Sequence, residues 1–250
     1  MTVELAAPDG TCVPIHVVDR ASFASCAAAL EPPVRRWLDT LAFEGAPDTH
    51  ALLPAPDGTV ASVWAGAASR MHPWALAALP KALPPGAYRL GELGVELDPG
   101  AAALSWELGS YAFDLYRARR RAPATLMLPP SEPARRALVV ATAIAATRDL
   151  VNTPAEHLGP AELAEAVRLA AKASGARFRQ TVGDELLGAG FPAIHAVGRA
   201  AARAPRLVEL TWGSPRHPRL TLVGKGVCFD SGGLDIKGAE GMRLMKKDMG

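Results

Sequence analysis

The chain has 250 residues, of which 49% are hydrophobic, enough to bury a real core in one or two domains. Its formal net charge of +2 is too near neutral to point to nucleic acid or an acidic membrane surface as a partner. No stretch approaches the roughly 18 uninterrupted apolar residues of a membrane helix. The first ten residues lack the basic and apolar regions of a signal peptide. Three cysteines, Cys12, Cys26 and Cys228, form no C-x-x-C pair, which argues against a disulfide framework and for a reducing cytoplasm.

In chain order, the first half reads as a small α/β unit. Pro8-Asp-Gly10 separates the apolar runs Val3–Leu5 and Val13–Val17, and Pro56-Asp-Gly58 separates Ala51–Pro54 from Thr59–Trp64. Both look like turns within strand pairs. Short helices are predicted near residues 32–42, 73–82 and 99–117. On the last of these, Ala101, Leu104, Leu108, Tyr111 and Leu115 follow the spacing of one buried face. Arg117, Arg119, Arg120 and Arg121 form the one basic run, read as a solvated helix end or linker.

A domain boundary is expected at Leu126-Met-Leu-Pro-Pro130, dividing residues 1–128 from 129–250. A long helix should follow, opened by Ser131 with Pro133 in its first turn and stopped at Asn152-Thr-Pro154. Ala134, Leu138, Ala141 and Ala145 make its apolar face. Next come an amphipathic helix through Leu163, Ala166, Val167 and Ala170, closed by Gly175, and strands at 177–181, 194–197, 207–212 and 220–223. Such alternation predicts a mostly parallel sheet covered by helices, with Gly224-Lys-Gly226 at the carboxyl end of a strand, where ligands gather.

The last residues concentrate the chemistry. Gly224, Gly226, Gly232 and Gly233 let the backbone turn tightly and approach a ligand. Asp230 and Asp248 offer hard oxygen ligands for Zn²⁺, Mn²⁺ or Mg²⁺. A lysine ligates only after losing its proton, which a nearby divalent cation favours. A surface loop with solvated charges has the same composition, so spacing alone leaves both readings open.

Nucleotide motifs fit poorly. After Gly224-Lys-Gly226 the third glycine position of a dinucleotide fingerprint holds Phe229, Pro192 spoils Gly188-Ala-Gly190-Phe-Pro-Ala193, and a P-loop would need Ser or Thr where Gly226 follows Lys225. The six histidines, His16, His50, His72, His157, His195 and His217, show no ligand spacing and read as structural or surface residues, His195 on an apolar strand. Cys228 has no evident base partner and reads as a packing residue.

Val223-Gly-Lys-Gly-Val-Cys-Phe-Asp-Ser-Gly-Gly-Leu-Asp-Ile-Lys237, followed by Met245-Lys-Lys-Asp-Met-Gly250, resembles the core motif of the leucyl (cytosol) aminopeptidases in order and spacing. Arg148-Asp-Leu-Val-Asn-Thr-Pro154 and Pro205-Arg-Leu-Val-Glu-Leu210 are similar to further segments of that family, and Trp106-Glu-Leu-Gly-Ser-Tyr111 resembles a helix of some bacterial members. The resemblance implies a small N-terminal α/β domain followed by an incomplete, mostly parallel-sheet metallopeptidase catalytic domain. It implies that Lys225, Asp230 and Asp248 are metal ligands, with Asp230 bridging two divalent ions (Mn²⁺ or Zn²⁺, or Mg²⁺). Lys237 would be the catalytic lysine, polarising the scissile carbonyl. The implied activity is release of N-terminal residues, leucine-type, from peptide substrates by a cytoplasmic homo-oligomer, a hexamer in the family.

Two departures accompany the match. Gly238 stands where the family often has Pro or Ala. The family's later Asn-Thr-Asp-Ala-Glu-Gly-Arg motif, which supplies two more metal ligands and an arginine that holds bicarbonate, does not occur in these 250 residues. The expectation is therefore an N-terminal portion of the enzyme, weakly active or inactive alone. The alternative is a non-catalytic binding or oligomer-assembly module of the same fold.

Overall fold

The computed structural model of the chain describes residues 1–69 and 71–250. It divides into two compact units, Met1–Ala145 and Ala146–Gly250.

The first unit runs β1 (Val3–Leu5), β2 (Val13–Val18), α1 (Arg20–Ala28), α2 (Pro32–Thr40), β3 (His50–Pro54), β4 (Val60–Gly66), α3 (Leu79–Ala82), β5 (Ala87–Gly94), α4 (Pro99–Ser110), β6 (Thr125–Leu128) and most of α5 (Glu132–Asn152). Its strands form a six-stranded sheet in the order β1-β6-β5-β2-β4-β3, parallel throughout except at the β3–β4 edge. The protein is thus mixed α/β with a mostly parallel sheet.

Alternation along the strands sorts side chains onto two covered faces. Ile15 and Val17 of β2, Val63 and Ala65 of β4, and Leu126 and Leu128 of β6 join one core cluster with Trp106 of α4 and Ala134 and Leu138 of α5. Val18, Trp64, Ala51 and Leu53 point the other way, into a cluster with Leu38 and Phe43 that Phe23 of α1 and Val34 of α2 complete. Phe23 meets Trp64 edge-on with ring centroids 5.9 Å apart. The buried polar tips are answered: the Trp106 indole donates to the Ala124 carbonyl at 3.2 Å, and the Tyr88 hydroxyl donates to the Pro84 carbonyl at 2.9 Å.

Several local expectations change here. The β3–β4 hairpin forms around Pro56-Asp-Gly58, but β1 and β2 do not pair with each other. Instead β1 pairs with β6 in register Val3↔Leu126, while β2 lies between β4 and β5. Helix α1 was not foreseen from its apolar spacing. A capping box opens it, in which the Asp19 carboxylate accepts from the Ser22 amide and the Ser22 hydroxyl accepts from the Asp19 amide. Of the helix expected over 73–82, only Leu79–Ala82 is helical.

Helix α4 ends at Ser110, where Tyr111 turns extended, rather than continuing to 117. Ala101 and Leu108 are buried as expected, but Leu115 lies beyond the helix and is exposed. The basic run therefore sits on an irregular segment and not at a helix end. Near the end of α4, a Cβ on Gly109 would stand 2.0 Å from the Ala77 carbonyl oxygen, so only glycine lets the two backbones approach there.

The second unit holds the end of α5, α6 (Pro160–Ser174), β7 (Arg177–Val182), α7 (Glu185–Gly188), α8 (Pro192–Gly198), β8 (Arg206–Thr211) and α9 (Ala239–Leu244), followed by a 3₁₀ turn over Met245–Met249. Helix α6 starts with Pro160 and stops at Gly175 in the left-handed conformation (φ 67°), where a Cβ would be strained.

Two strand readings fail in this unit. Residues 194–197 lie in α8, because Pro192 pre-sets the first helical turn, and His195 is thus on a helix. Leu220–Val223 has no regular structure, and Leu220, Leu222 and Val223 are more than four-fifths exposed. What pairs instead is β7 with β8, antiparallel, from Arg177↔Thr211 to Val182↔Arg206. Among the described residues the parallel pairing belongs to the first unit, not to the second where it was expected. No helix among them is long and apolar enough to cross a membrane.

Leu126, on an inner strand of the first sheet, is completely buried. Leu126→Ala should lower unfolding stability by about 2–5 kcal/mol with little change in the denaturant m-value, read from a urea titration followed by tryptophan fluorescence.

Candidate metal centre

The four residues singled out above lie on the long irregular segment that follows β8 and on the 3₁₀ turn at Met245–Met249. Gly224-Lys-Gly226 does not follow a strand, but the backbone beyond it is pinned. Cys228 is buried in a small cluster with Leu158 and Met249, against which Leu150 and Leu163 pack. Burial pushes the Cys228 thiol up, away from the reactive thiolate, and its Sγ faces the Gly226 carbonyl at 3.7 Å. The packing reading of this cysteine accords with that environment. All three cysteines are free thiols.

Next to this anchor, residues 230–237 close a tight loop. The Lys237 amide donates to the Ser231 carbonyl at 2.9 Å, and the Gly232 amide donates to Asp230 Oδ1 at 2.8 Å. Gly232 has φ 95°, and a Cβ there would fall 2.1 Å from the Asp235 carbonyl oxygen. Glycine is therefore required by both conformation and space. The fold of this loop returns the Lys237 ammonium to the carboxylate seven residues earlier, with Nζ 2.5 Å from Asp230 Oδ2. The Asp230 amide also donates to the Met245 sulfur at 3.1 Å, joining the loop to the 3₁₀ turn.

On that turn Asp248 forms an ion pair with Lys225 and faces Lys247 Nζ at 3.4 Å from its other oxygen. The four predicted residues therefore form two lysine–carboxylate pairs, Lys225–Asp248 and Lys237–Asp230. Both carboxyls are held below the usual carboxylate range. For Asp230 the Lys237 hydrogen bond is the main cause, helped by the Gly232 amide and by the charges of Lys237 and Lys225. For Asp248 the main cause is the Lys225 hydrogen bond, with Lys247 adding to it.

The field of Lys225 at Asp230 ties the two pairs into one group of charges. Sequence reasoning passed over Met245 and Lys247. Their signal was the run Met245-Lys-Lys-Asp-Met249, in which two methionines flank three charged residues on one short turn.

This donor set suits hard divalent cations in kind: two ionised carboxylates and a lysine amine that could ligate once deprotonated. In number it is small. Among the described residues there is no group of three or more His, Cys, Asp or Glu side chains placed to hold a metal ion. His195 is engaged elsewhere, its Nε2 being 3.0 Å from Asp184 Oδ1. His16 packs on Trp64, with centroids 5.1 Å apart, and burial pushes its pKa down, with the positive charge of Arg89 adding to the effect.

Comparison with known proteins places the chain in a family. Residues 145–250 match the model of the cytosol aminopeptidase family, catalytic domain, and residues 13–129 match that of the M17 aminopeptidase N-terminal domain. A probable cytosol aminopeptidase of Rhodococcus opacus is 33% identical over 243 residues, covering 85% of this chain and 48% of that protein. One of Mycobacterium marinum is 40% identical over 160 residues, covering 57% and 31%.

Among solved structures, the cytosol aminopeptidase of Coxiella burnetii superposes with a TM-score of 0.89 at 39% identity, covering 99% of this chain and 54% of that one. The bottromycin maturation enzyme BotP in complex with Mn superposes with a TM-score of 0.72 at 30% identity, covering 93% and 51%. The chain thus spans about half the length of these solved relatives and a third to a half of the curated ones. With the two family models together accounting for most of its residues, the chain belongs to the M17 cytosol aminopeptidase family.

Proposed function

We propose that this chain carries the N-terminal domain (residues 1–128) and the first part of the catalytic domain (129–250) of a metal-dependent aminopeptidase that releases N-terminal amino acids, leucine-type, from peptides. The observation that carries this reading is the pairing of Lys225 with Asp248 and of Lys237 with Asp230 around the glycine turn at Gly232. It lies within the segment that matches the family's catalytic domain. That the related BotP is seen in complex with Mn supports a divalent metal here, as does the hard character of the donors.

Each residue then has a part. Asp230 and Asp248 would present carboxylate oxygens to two ions (Mn²⁺, Zn²⁺ or Mg²⁺), with Asp230 between them. Lys225 would join them through its neutral amine, giving up its present ion pair with Asp248. When bound, the ions would hold the substrate's free amino group and supply Lewis acidity and a nucleophilic water. Asp230 holds the Lys237 side chain in place, and Lys237 would stabilise the oxyanion as the scissile carbonyl gains negative charge. Gly232 and the Ser231 carbonyl hold the loop so that this ammonium need not be reoriented at that moment. The bicarbonate and the hexameric assembly implied by the resemblance belong to the complete enzyme.

In a chain completed with a family member's following half, Asp230→Ala should abolish metal-dependent release of leucine from Leu-p-nitroanilide; retained activity would refute the site assignment. Lys237→Ala in the same background should lower kcat about 10²–10³-fold with little change in KM, since the lost interaction is made chiefly in the transition state. The 250-residue chain itself should hydrolyse little or no Leu-p-nitroanilide with added Mn²⁺ or Zn²⁺, because its three proposed protein ligands do not saturate two ions. Turnover near that of an intact family enzyme would show that these residues suffice. A completed chain that is folded and metal-loaded yet inert would favour a non-catalytic binding or assembly module.

A further inference from the structure

The segment between α4 and β6 carries the basic run, and in the first unit it closes one side of a crevice of about 250 Å³. Lys81, Arg119, Arg120 and Arg121 line this space together with proline, alanine and serine residues, and no carboxylate lines it. One counter-ion stands nearby: Arg119 Nε lies 3.0 Å from Asp114 Oδ2, while Arg119 Nη1 donates to the Ser110 carbonyl at 3.3 Å.

Arg121 spends Nη2 on two neutral acceptors, the Lys81 carbonyl at 2.5 Å and the Leu83 carbonyl at 3.0 Å, so its charge is uncompensated. Among the described residues, the side chains of Lys81 and Arg120 have neither an ion-pair nor a hydrogen-bond partner. Four cations therefore share one small concavity with a single carboxylate at its margin. A multiply charged anion would meet their combined positive charge there.

The walls are held from beneath. The amide of completely buried Ala124 donates to the Pro80 carbonyl at 3.0 Å, and the Ala124 carbonyl accepts the Trp106 indole N–H at 3.2 Å. This ties the end of the basic run to the core, and the two carbonyls that receive Arg121 fix its guanidinium. Arg119 and Arg121 are held by these contacts with donors to spare, and Arg120 and Lys81 are exposed beside them. Guanidinium and ammonium donors of this kind suit phosphate oxygens, which accept several N–H bonds and carry more than one charge.

We propose that this crevice binds a diphosphate group, free or borne on a nucleoside. Its residues all lie in the first unit, so it shares none with the group of Lys225, Asp230, Lys237 and Asp248. The volume admits a diphosphate with at most a small part of an attached group inside, the rest projecting into solvent.

Calorimetric titration of the 250-residue chain with inorganic pyrophosphate tests this. A saturable one-to-one isotherm is expected that weakens as NaCl rises from about 20 to about 150 mM. The double variant Lys81→Ala/Arg120→Ala should lose affinity by about tenfold or more. Its thermal unfolding should not be lowered, since neither side chain has a partner to lose. Arg120→Lys, which keeps the charge but not the fork, should recover only part of the loss.

ADP binding more tightly than pyrophosphate would assign a nucleoside diphosphate, and equal affinity would assign the free diphosphate. Citrate binding as tightly as pyrophosphate would overturn the phosphate assignment. No saturable heat, or unchanged affinity in a folded double variant, would overturn the site itself.

Discussion

Burial of both faces of the six-stranded sheet is the constraint on which the first unit depends. A parallel strand covered on both sides cannot alternate apolar with polar residues, and it has to find hydrogen-bonded neighbours whose side chains suit two different cores. β4 shows this within three residues: Val63 and Ala65 enter one cluster while Trp64 enters the other. The helices follow from it. α4 and the start of α5 supply Trp106, Ala134 and Leu138 to one face, and α1 and α2 supply Phe23 and Val34 to the other. Even the basic crevice is a consequence, since Ala124 and Trp106, which hold its floor, are core residues of the same sheet.

The terminal loop is organised by a different force. It has few apolar contacts beyond Leu158, Cys228 and Met249, and its shape comes from a glycine turn and paired charges. Placing two lysines against two carboxylates keeps those carboxyls ionised and ready to meet a cation. The same ammonium groups occupy the positions that a metal would contest. Under the proposed reading, Lys225 would leave Asp248 to ligate a metal ion while Lys237 stays beside Asp230.

How far the sequence could be read depended on the range of the interactions involved. Pro56-Asp-Gly58 announced the β3–β4 hairpin because the turn and both strands lie within seventeen residues, His50 to Gly66. Gly175 and Pro160 marked the ends of α6 for the same reason. Pro8-Asp-Gly10 offered an equally good turn, yet β1 pairs with β6, more than a hundred residues away. No local pattern encodes a partner at that distance.

Leu220–Val223 has the composition of a strand, but with no hydrogen-bonded neighbour beside it the segment remains irregular. Residues 194–197 read as an apolar strand, whereas Pro192 set the helical first turn that formed.

The sequence alone determined the α/β character, the long helix α5, the identity of the four charged residues at the end of the chain and the family to which their order and spacing belong. These depend on side-chain type and on separations of a few residues, which the chain carries in itself. Tertiary structure decided which strands are neighbours and that the parallel pairing lies in the first unit while β7 and β8 run antiparallel. It also decided which lysine faces which aspartate, and that Lys81 joins Arg119, Arg120 and Arg121 around one crevice. The physical reason is common to all of these. Hydrogen-bonded strand partners, ion pairs and concave surfaces are made by residues brought together across long stretches of chain, and only the packing of the whole selects one combination among many that local chemistry permits.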